Sequence, residues 1–110
     1  MHMVDPFVAL GRVDEIPAGQ GRAFTIGKLV ISVFHVNGEF FAIDDACPHM
    51  GASLSEGCVE NGVVACPWHG WRFDVRDGTW CDNPRVKIGA YPVRIENGEI
   101  WVAVPEQNTT

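Results

Sequence analysis

Two short segments concentrate the side chains able to hold a metal: Cys47-Pro48-His49-Met50-Gly51 and Cys66-Pro67-Trp68-His69-Gly70-Trp71. The first is a C-x-H pattern and the second is C-x-x-H, with sixteen residues between His49 and Cys66. Each places one thiol and one imidazole on a single tight loop. Thiolate and neutral imidazole are ligands for borderline and soft metals. Pro48 and Pro67 stiffen the loops. Gly51 and Gly70 let the backbone pass close to an inorganic centre and turn amides toward it.

A β scaffold must position these loops. Asn37-Gly38, Asn61-Gly62, Asp77-Gly78 and Asn97-Gly98 all favour the positive φ that a two-residue type I′ hairpin requires. Around Asn97-Gly98 the apolar Val93, Ile95, Ile100 and Val102 alternate with Arg94, Glu96, Glu99 and Trp101. That register sets Ile95 against Ile100, Val93 against Val102, and Arg94 against Trp101 as a cation–π pair. Asn37-Gly38 likewise joins 30–36 to 40–43. Helical signals are few, and short strands with closely spaced turns predict an antiparallel all-β sandwich or barrel. From 44 to 84 the alternation weakens while Gly, Pro, Cys, His and Trp crowd together. This stretch is expected to be a loop-rich insert with two or three short strands of its own. His35 falls on a predicted strand and is expected to be structural.

Composition bounds the remainder. The chain has 110 residues, 46% of them apolar, enough for one domain with a real core. A net charge of −6 makes it a poor nucleic-acid binder, because phosphate contacts need clustered Lys and Arg. No run approaches the roughly 20 apolar residues of a membrane helix, and the N-terminus lacks a basic region followed by an apolar one. A cytoplasmic protein is the expectation. Reduced cytosolic thiols then make metal a better reading of the four cysteines than two disulfides.

The paired loops resemble those of the Rieske iron–sulfur proteins. The likeness extends to Glu15-Ile16-Pro17-Ala18-Gly19, to Phe41-Ala42-Ile43 and to Tyr91-Pro92-Val93 with the Asn97-Gly98 hairpin, which look like Rieske ferredoxins. It implies one 2Fe-2S cluster, with Cys47 and Cys66 on one iron and the Nδ1 atoms of His49 and His69 on the other. It also implies a β-sandwich base carrying a small cluster-binding subdomain at about 44–84. Met50, Gly51, Trp68, Gly70 and Trp71 would form the surroundings of the cluster, and Pro84 a lid over it. Two thiolates leave the oxidised centre neutral where four would leave it at a charge of about −2, so the histidine-ligated centre accepts an electron more readily.

Two departures from the respiratory members sort the subfamily. Ala52 and Trp68 stand where those proteins carry a disulfide, and Trp71 and Phe73 stand where they direct Ser and Tyr hydroxyls at the cluster sulfurs. Loss of such hydrogen bonds lowers the potential. The resemblance therefore implies a low-potential ferredoxin of a bacterial oxygenase system. It would take electrons from a flavin-dependent NAD(P)H reductase and pass them to a terminal oxygenase, with no catalytic site of its own. Asp44, Asp45, Glu56 and Asp82 flank the loops and are expected to steer docking.

Other readings of the same residues remain open. The small subunit of a reductase such as nitrite reductase shares the fold implied, though such subunits commonly lack the four ligands. A zinc-stabilised interaction module would also use two Cys and two His, but C-x-H is unusual for zinc fingers. A four-cysteine cluster would need Cys58 and Cys81, and the plant-type spacing is absent. Those two are expected to be small buried apolar side chains. A Cys–His nucleophile is conceivable, but two such pairs at matched loop positions favour a metal.

Overall fold

The computed structural model describes residues 7–47, 52–67 and 70–104. Its strands are β1 (Phe7–Arg12), β2 (Gly21–Ile26), β3 (Leu29–Val36), β4 (Glu39–Asp44), β5 (Val59–Glu60), β6 (Val63–Ala65), β7 (Arg72–Asp74), β8 (Thr79–Trp80), β9 (Asn83–Lys87), β10 (Ala90–Tyr91), β11 (Val93–Glu96) and β12 (Glu99–Ala103). The only helical turns among the described residues are 3-10 turns at Val13–Glu15 and Leu54–Glu56. All strand pairings are antiparallel and form three sheets, ordered β1-β12-β11, β10-β4-β3-β2 and β5-β6-β7-β8-β9. None of these helices is long and apolar enough to cross a membrane.

The apolar run on β3 has a structural cause. A strand covered on one face alternates in hydrophobicity, whereas one covered on both faces does not. Ile31 and Val33 enter one core with Ile16, Ala42, Ile100 and Val102, between the four-stranded and three-stranded sheets. Phe34 and Val36 point the other way, into a second core with Ile43, Leu54, Val64, Phe73 and Val75. β3 is therefore a shared wall, and its sheet joins the sandwich base to the five-stranded sheet. His35 belongs to the base: its Nδ1 lies 2.8 Å from the Ile16 carbonyl and its ring stacks on Phe40 at 4.4 Å.

Three of the four hairpin turns form as expected. Asn37, Asn61 and Asn97 have φ near 50°, and the glycine after each also has positive φ. The last hairpin has the anticipated register, with Val93 opposite Val102, Arg94 opposite Trp101 and Ile95 opposite Ile100. The Arg94 guanidinium lies 6.0 Å from the Trp101 ring and 4.3 Å from Phe7. Asp77-Gly78 departs from the expectation, because Gly78 has positive φ and Asp77 does not. There the Asp77 carboxylate accepts from both the backbone N–H and the hydroxyl of Thr79, at 3.0 and 2.7 Å. The Gly78 N–H donates to the Asp74 carbonyl at 2.8 Å, making a wider turn between β7 and β8. The two or three strands expected in the insert are also too few: the third sheet has five, running from Val59 to Lys87. Strands of two or three residues are too short to show a period of two.

Candidate metal centre

Cys47 and Cys66 come together in the second core. They are only 1% and 2% exposed, and both belong to the cluster built around Ala52, Leu54, Val64 and Phe73. Cys47 follows β4 and Cys66 follows β6, so two different sheets deliver the two thiols. His49 and His69 lie outside the described residues, as do Pro48, Met50, Gly51 and Trp68.

The backbone closes both loops in the same way. The Cys47 N–H donates to the carbonyl of Ala52 at 2.9 Å, and the Cys66 N–H donates to that of Trp71 at 2.6 Å. Each bond spans five residues, and each span contains one of the histidines. In the second loop the Gly70 N–H also donates to the Cys66 carbonyl at 3.0 Å. Gly70 has φ +71°, a region that side-chain-bearing residues rarely adopt.

A buried carboxylate fixes the base of the first loop. Asp45 is 8% exposed. Its Oδ1 accepts from the hydroxyls of Ser32 and Ser53 at 3.1 and 2.8 Å and from the Ser55 N–H at 3.1 Å. The single proton of the Ser53 hydroxyl is thereby used, so the Ser55 hydroxyl donates to Ser53 Oγ across 2.7 Å. The Asp45 carbonyl accepts from the Leu54 N–H at 2.7 Å. Asp44 is engaged too: it accepts from the Tyr91 hydroxyl at 2.5 Å and from the Gly89 N–H at 2.7 Å. Burial first, and then this bond to Asp44, holds the Tyr91 phenol well above its usual pKa. Asp44 and Asp45 therefore brace the fold, a role beyond the expected steering of docking. Glu56 and Asp82 are exposed, and Asp82 lies 3.6 Å from Arg72.

The Asp45 brace yields a prediction. Asp45→Ala leaves three donors in a buried site without their acceptor. It should lower unfolding stability by about 2–3 kcal/mol. Asp45→Asn keeps an oxygen at the same place and should lose less than half of that. Chemical denaturation of the two variants measures both values. Equal losses would show that the carboxylate charge, not the shared acceptor, holds the loop.

Cys58 and Cys81 are not buried core residues, contrary to the expectation. Both are free and exposed. The Ala65 N–H donates to the Cys58 carbonyl and the Cys81 N–H to the Arg72 carbonyl, while Ala65 stands opposite Arg72. Cys58, Ala65, Arg72 and Cys81 thus form one row across four chain segments on the outer face. Three strand spacings separate the two thiols, roughly 14 Å. That is too far for a disulfide, and neither thiol shares the buried core of Cys47 and Cys66.

Aromatic rings line the second loop. Trp71 stacks on Trp80 with centroids 3.9 Å apart and planes 9° apart, and Phe73 lies 6.3 Å from Trp71. Phe73 is fully buried. Pro84 sits exposed on β9, the edge strand of its sheet, where a missing backbone donor is tolerated. The sequence reading did not single out the Asp45–Ser32–Ser53 network or the Trp71–Trp80 stack, since their members are far apart in the chain.

The donor chemistry suits a thiolate-and-imidazole centre: two buried thiols in one core, each opening a closed loop that contains a histidine. Comparison with known proteins shows the family. The model of the Rieske 2Fe-2S domain matches residues 6–94. The anthranilate 1,2-dioxygenase ferredoxin subunit of Burkholderia cepacia is 40% identical over 96 residues, which cover 86% of this chain and 89% of that protein. The ferredoxin of Sphingomonas yanoikuyae B1 has a TM-score of 0.81 at 32% identity, covering 89% of this chain and 98% of that one. A chain of the solved complex of reduced oxygenase and oxidized ferredoxin in carbazole 1,9a-dioxygenase has a TM-score of 0.82 at 30% identity, covering 96% of this chain and 100% of that one. With its β architecture, its paired loops and a family match over most of its length, the chain belongs to the Rieske 2Fe-2S domain family.

Proposed function

We propose that this protein is a one-electron carrier that takes electrons from a flavin-dependent NAD(P)H reductase and delivers them to a terminal oxygenase. The observation that carries the reading is the burial of Cys47 and Cys66 in one core at the mouths of two matched loops. Similar ferredoxin subunits belong to dioxygenase systems, and a solved relative comes from a complex of oxygenase and ferredoxin. The group implied supplies reversible one-electron chemistry when bound.

The chain's own residues would do the rest. Cys47 and Cys66 would hold one iron as thiolates, and His49 and His69 the other. Residues 44–84 would form the cluster-binding unit, with Met50, Gly51, Trp68, Gly70 and Trp71 around the cluster and Pro84 toward its lid. Ala52, Val64 and Phe73 exclude water from the thiol side. The protein would act as a shuttle without a catalytic site. We place it in the cytoplasm, where the exposed thiols of Cys58 and Cys81 stay reduced.

Partners would dock over the two loops. Of the acids flanking them, Glu56 and Asp82 are exposed and would contribute a salt-screened attraction. Reconstitution with the reductase and oxygenase of an aromatic-ring dioxygenase system from the same genome tests the function. NADH should bleach the ferredoxin only when the reductase is present, and the oxygenase should restore its colour. A protein reducible by dithionite but by no such reductase would overturn the reading. Glu56→Lys with Asp82→Lys should slow association at low salt and leave the reduction potential unchanged. Rates indifferent to salt and to both reversals would remove the steering role.

A further inference from the structure

We propose that Trp80 is a positioning residue for the second ligand loop, acting through Trp71. This rests on the proposed ligand roles of Cys66 and His69.

The argument begins at the loop closure. The Cys66 N–H depends on the Trp71 carbonyl, at 2.6 Å. Any rotation of residue 71 displaces the amide of the thiol-bearing residue and the span that contains His69. Residue 71 is also restrained through its ring, which lies almost parallel to Trp80 with the centroids only 3.9 Å apart. That separation means nearly full overlap of two large flat surfaces. Trp80 is itself held on β8, opposite Phe73 on one side and Asn83 on the other. Phe73 is buried in the same core as Cys66. The stack therefore ties the loop to the sheet at a second point, beyond the strand that leads into it.

The indole nitrogen gives an independent reason to think the ring's area is what matters. Trp80 Nε1 is buried and has no hydrogen-bond partner among the described residues. A buried N–H without an acceptor is unfavourable. A smaller apolar side chain would avoid that penalty, but would cover less of Trp71. The position tolerates an unsatisfied donor in exchange for a flat surface against the loop.

Trp101 supplies an internal control. It too has a buried indole nitrogen without a partner among the described residues, but it lies on β12 in the sandwich base. Both tryptophans should matter for folding, and only Trp80 should matter for the loop.

The test compares Trp80→Ala, Trp80→Phe and Trp101→Ala in the iron-loaded protein. Three readouts are needed: the rate of visible-colour loss to an iron chelator, the EPR line shape of the reduced form, and the denaturation midpoint. Residues that orient metal ligands typically change metal retention by 10–100-fold when removed. Trp80→Ala should speed colour loss by about tenfold or more and broaden the EPR signal. Trp80→Phe, which keeps a flat ring and lacks the N–H, should return most of the way to wild type. Trp101→Ala should lower the midpoint and leave colour loss and line shape unchanged below it. Equal colour-loss rates in Trp80→Ala and Trp101→Ala would overturn the positioning role and leave the cluster assignment intact. If Trp80→Ala does not fold, Trp80→Phe and Trp80→Leu decide: Leu must lose colour faster than Phe, and the reverse order overturns the proposal. A wild-type chain that holds no iron would overturn the proposed function and this inference with it.

Discussion

Cys47→Ala and Cys66→Ala are each expected to abolish the visible chromophore and iron content, while Cys58→Ala and Cys81→Ala leave both at wild-type levels. The contrast follows from position. Cys47 and Cys66 are buried in one core and open the two closed loops, whereas Cys58 and Cys81 are exposed on the outer face of the five-stranded sheet. His49→Ala and His69→Ala should remove the cluster too. The apo forms of the Cys47 and Cys66 variants should retain β-sheet circular dichroism, since the sandwich base has a core that includes neither thiol. Metal analysis and absorption spectra of the six variants measure the outcome. Loss of iron in the Cys58 or Cys81 variant, with the fold intact, would exclude the assigned ligand set.

The second large effect concerns potential. Phe73 is fully buried, stands opposite Val64 in the β6–β7 pairing, and shares its core with Cys66. It cannot donate a hydrogen bond to a cluster sulfur. The midpoint should therefore lie near the low end of the Rieske range, about −150 mV. Phe73→Tyr adds a phenol that must find an acceptor in a buried site. If it donates to sulfur, the reduced form, which carries more negative charge, gains more than the oxidised form. A differential of about 1 kcal/mol raises the midpoint by about 40 mV. A titration of wild type and variant in the same mediator mix measures the shift. A wild-type midpoint clearly above zero would contradict the oxygenase-type assignment. An unchanged midpoint with a lowered denaturation temperature would show that the phenol is buried without reaching sulfur.

Much of the scaffold was legible because short-range chemistry dictates it. Asn-Gly pairs adopt positive φ at little cost, so three hairpins and the register of the last one follow from the dipeptides and the alternation beside them. The closeness of Cys47 and Cys66 in one core was legible because the two segments that carry them are alike and unusually spaced. What the sequence concealed depends on partners distant in the chain. Asp44 and Asp45 read as surface charge until Tyr91, Gly89, Ser32 and Ser53 come beside them. Cys58 and Cys81 read as buried from residue type alone, yet the row they share with Ala65 and Arg72 sets them facing solvent. Asp77-Gly78 resembled its three neighbours, but the hydroxyl and amide of Thr79 compete for the Asp77 carboxylate and widen the turn.

Mixed ligation by two thiolates and two histidines is the central claim, and nitrogen coupling in the reduced protein tests it most directly. Pulsed EPR or ENDOR of the dithionite-reduced protein, prepared with and without 15N-histidine labelling, should show two strongly coupled nitrogens that shift with the label. His49→Ala or His69→Ala should remove both, because the cluster is not retained. A coloured protein whose reduced signal carries no histidine nitrogen coupling, or a colourless one that binds stoichiometric zinc, would contradict the account.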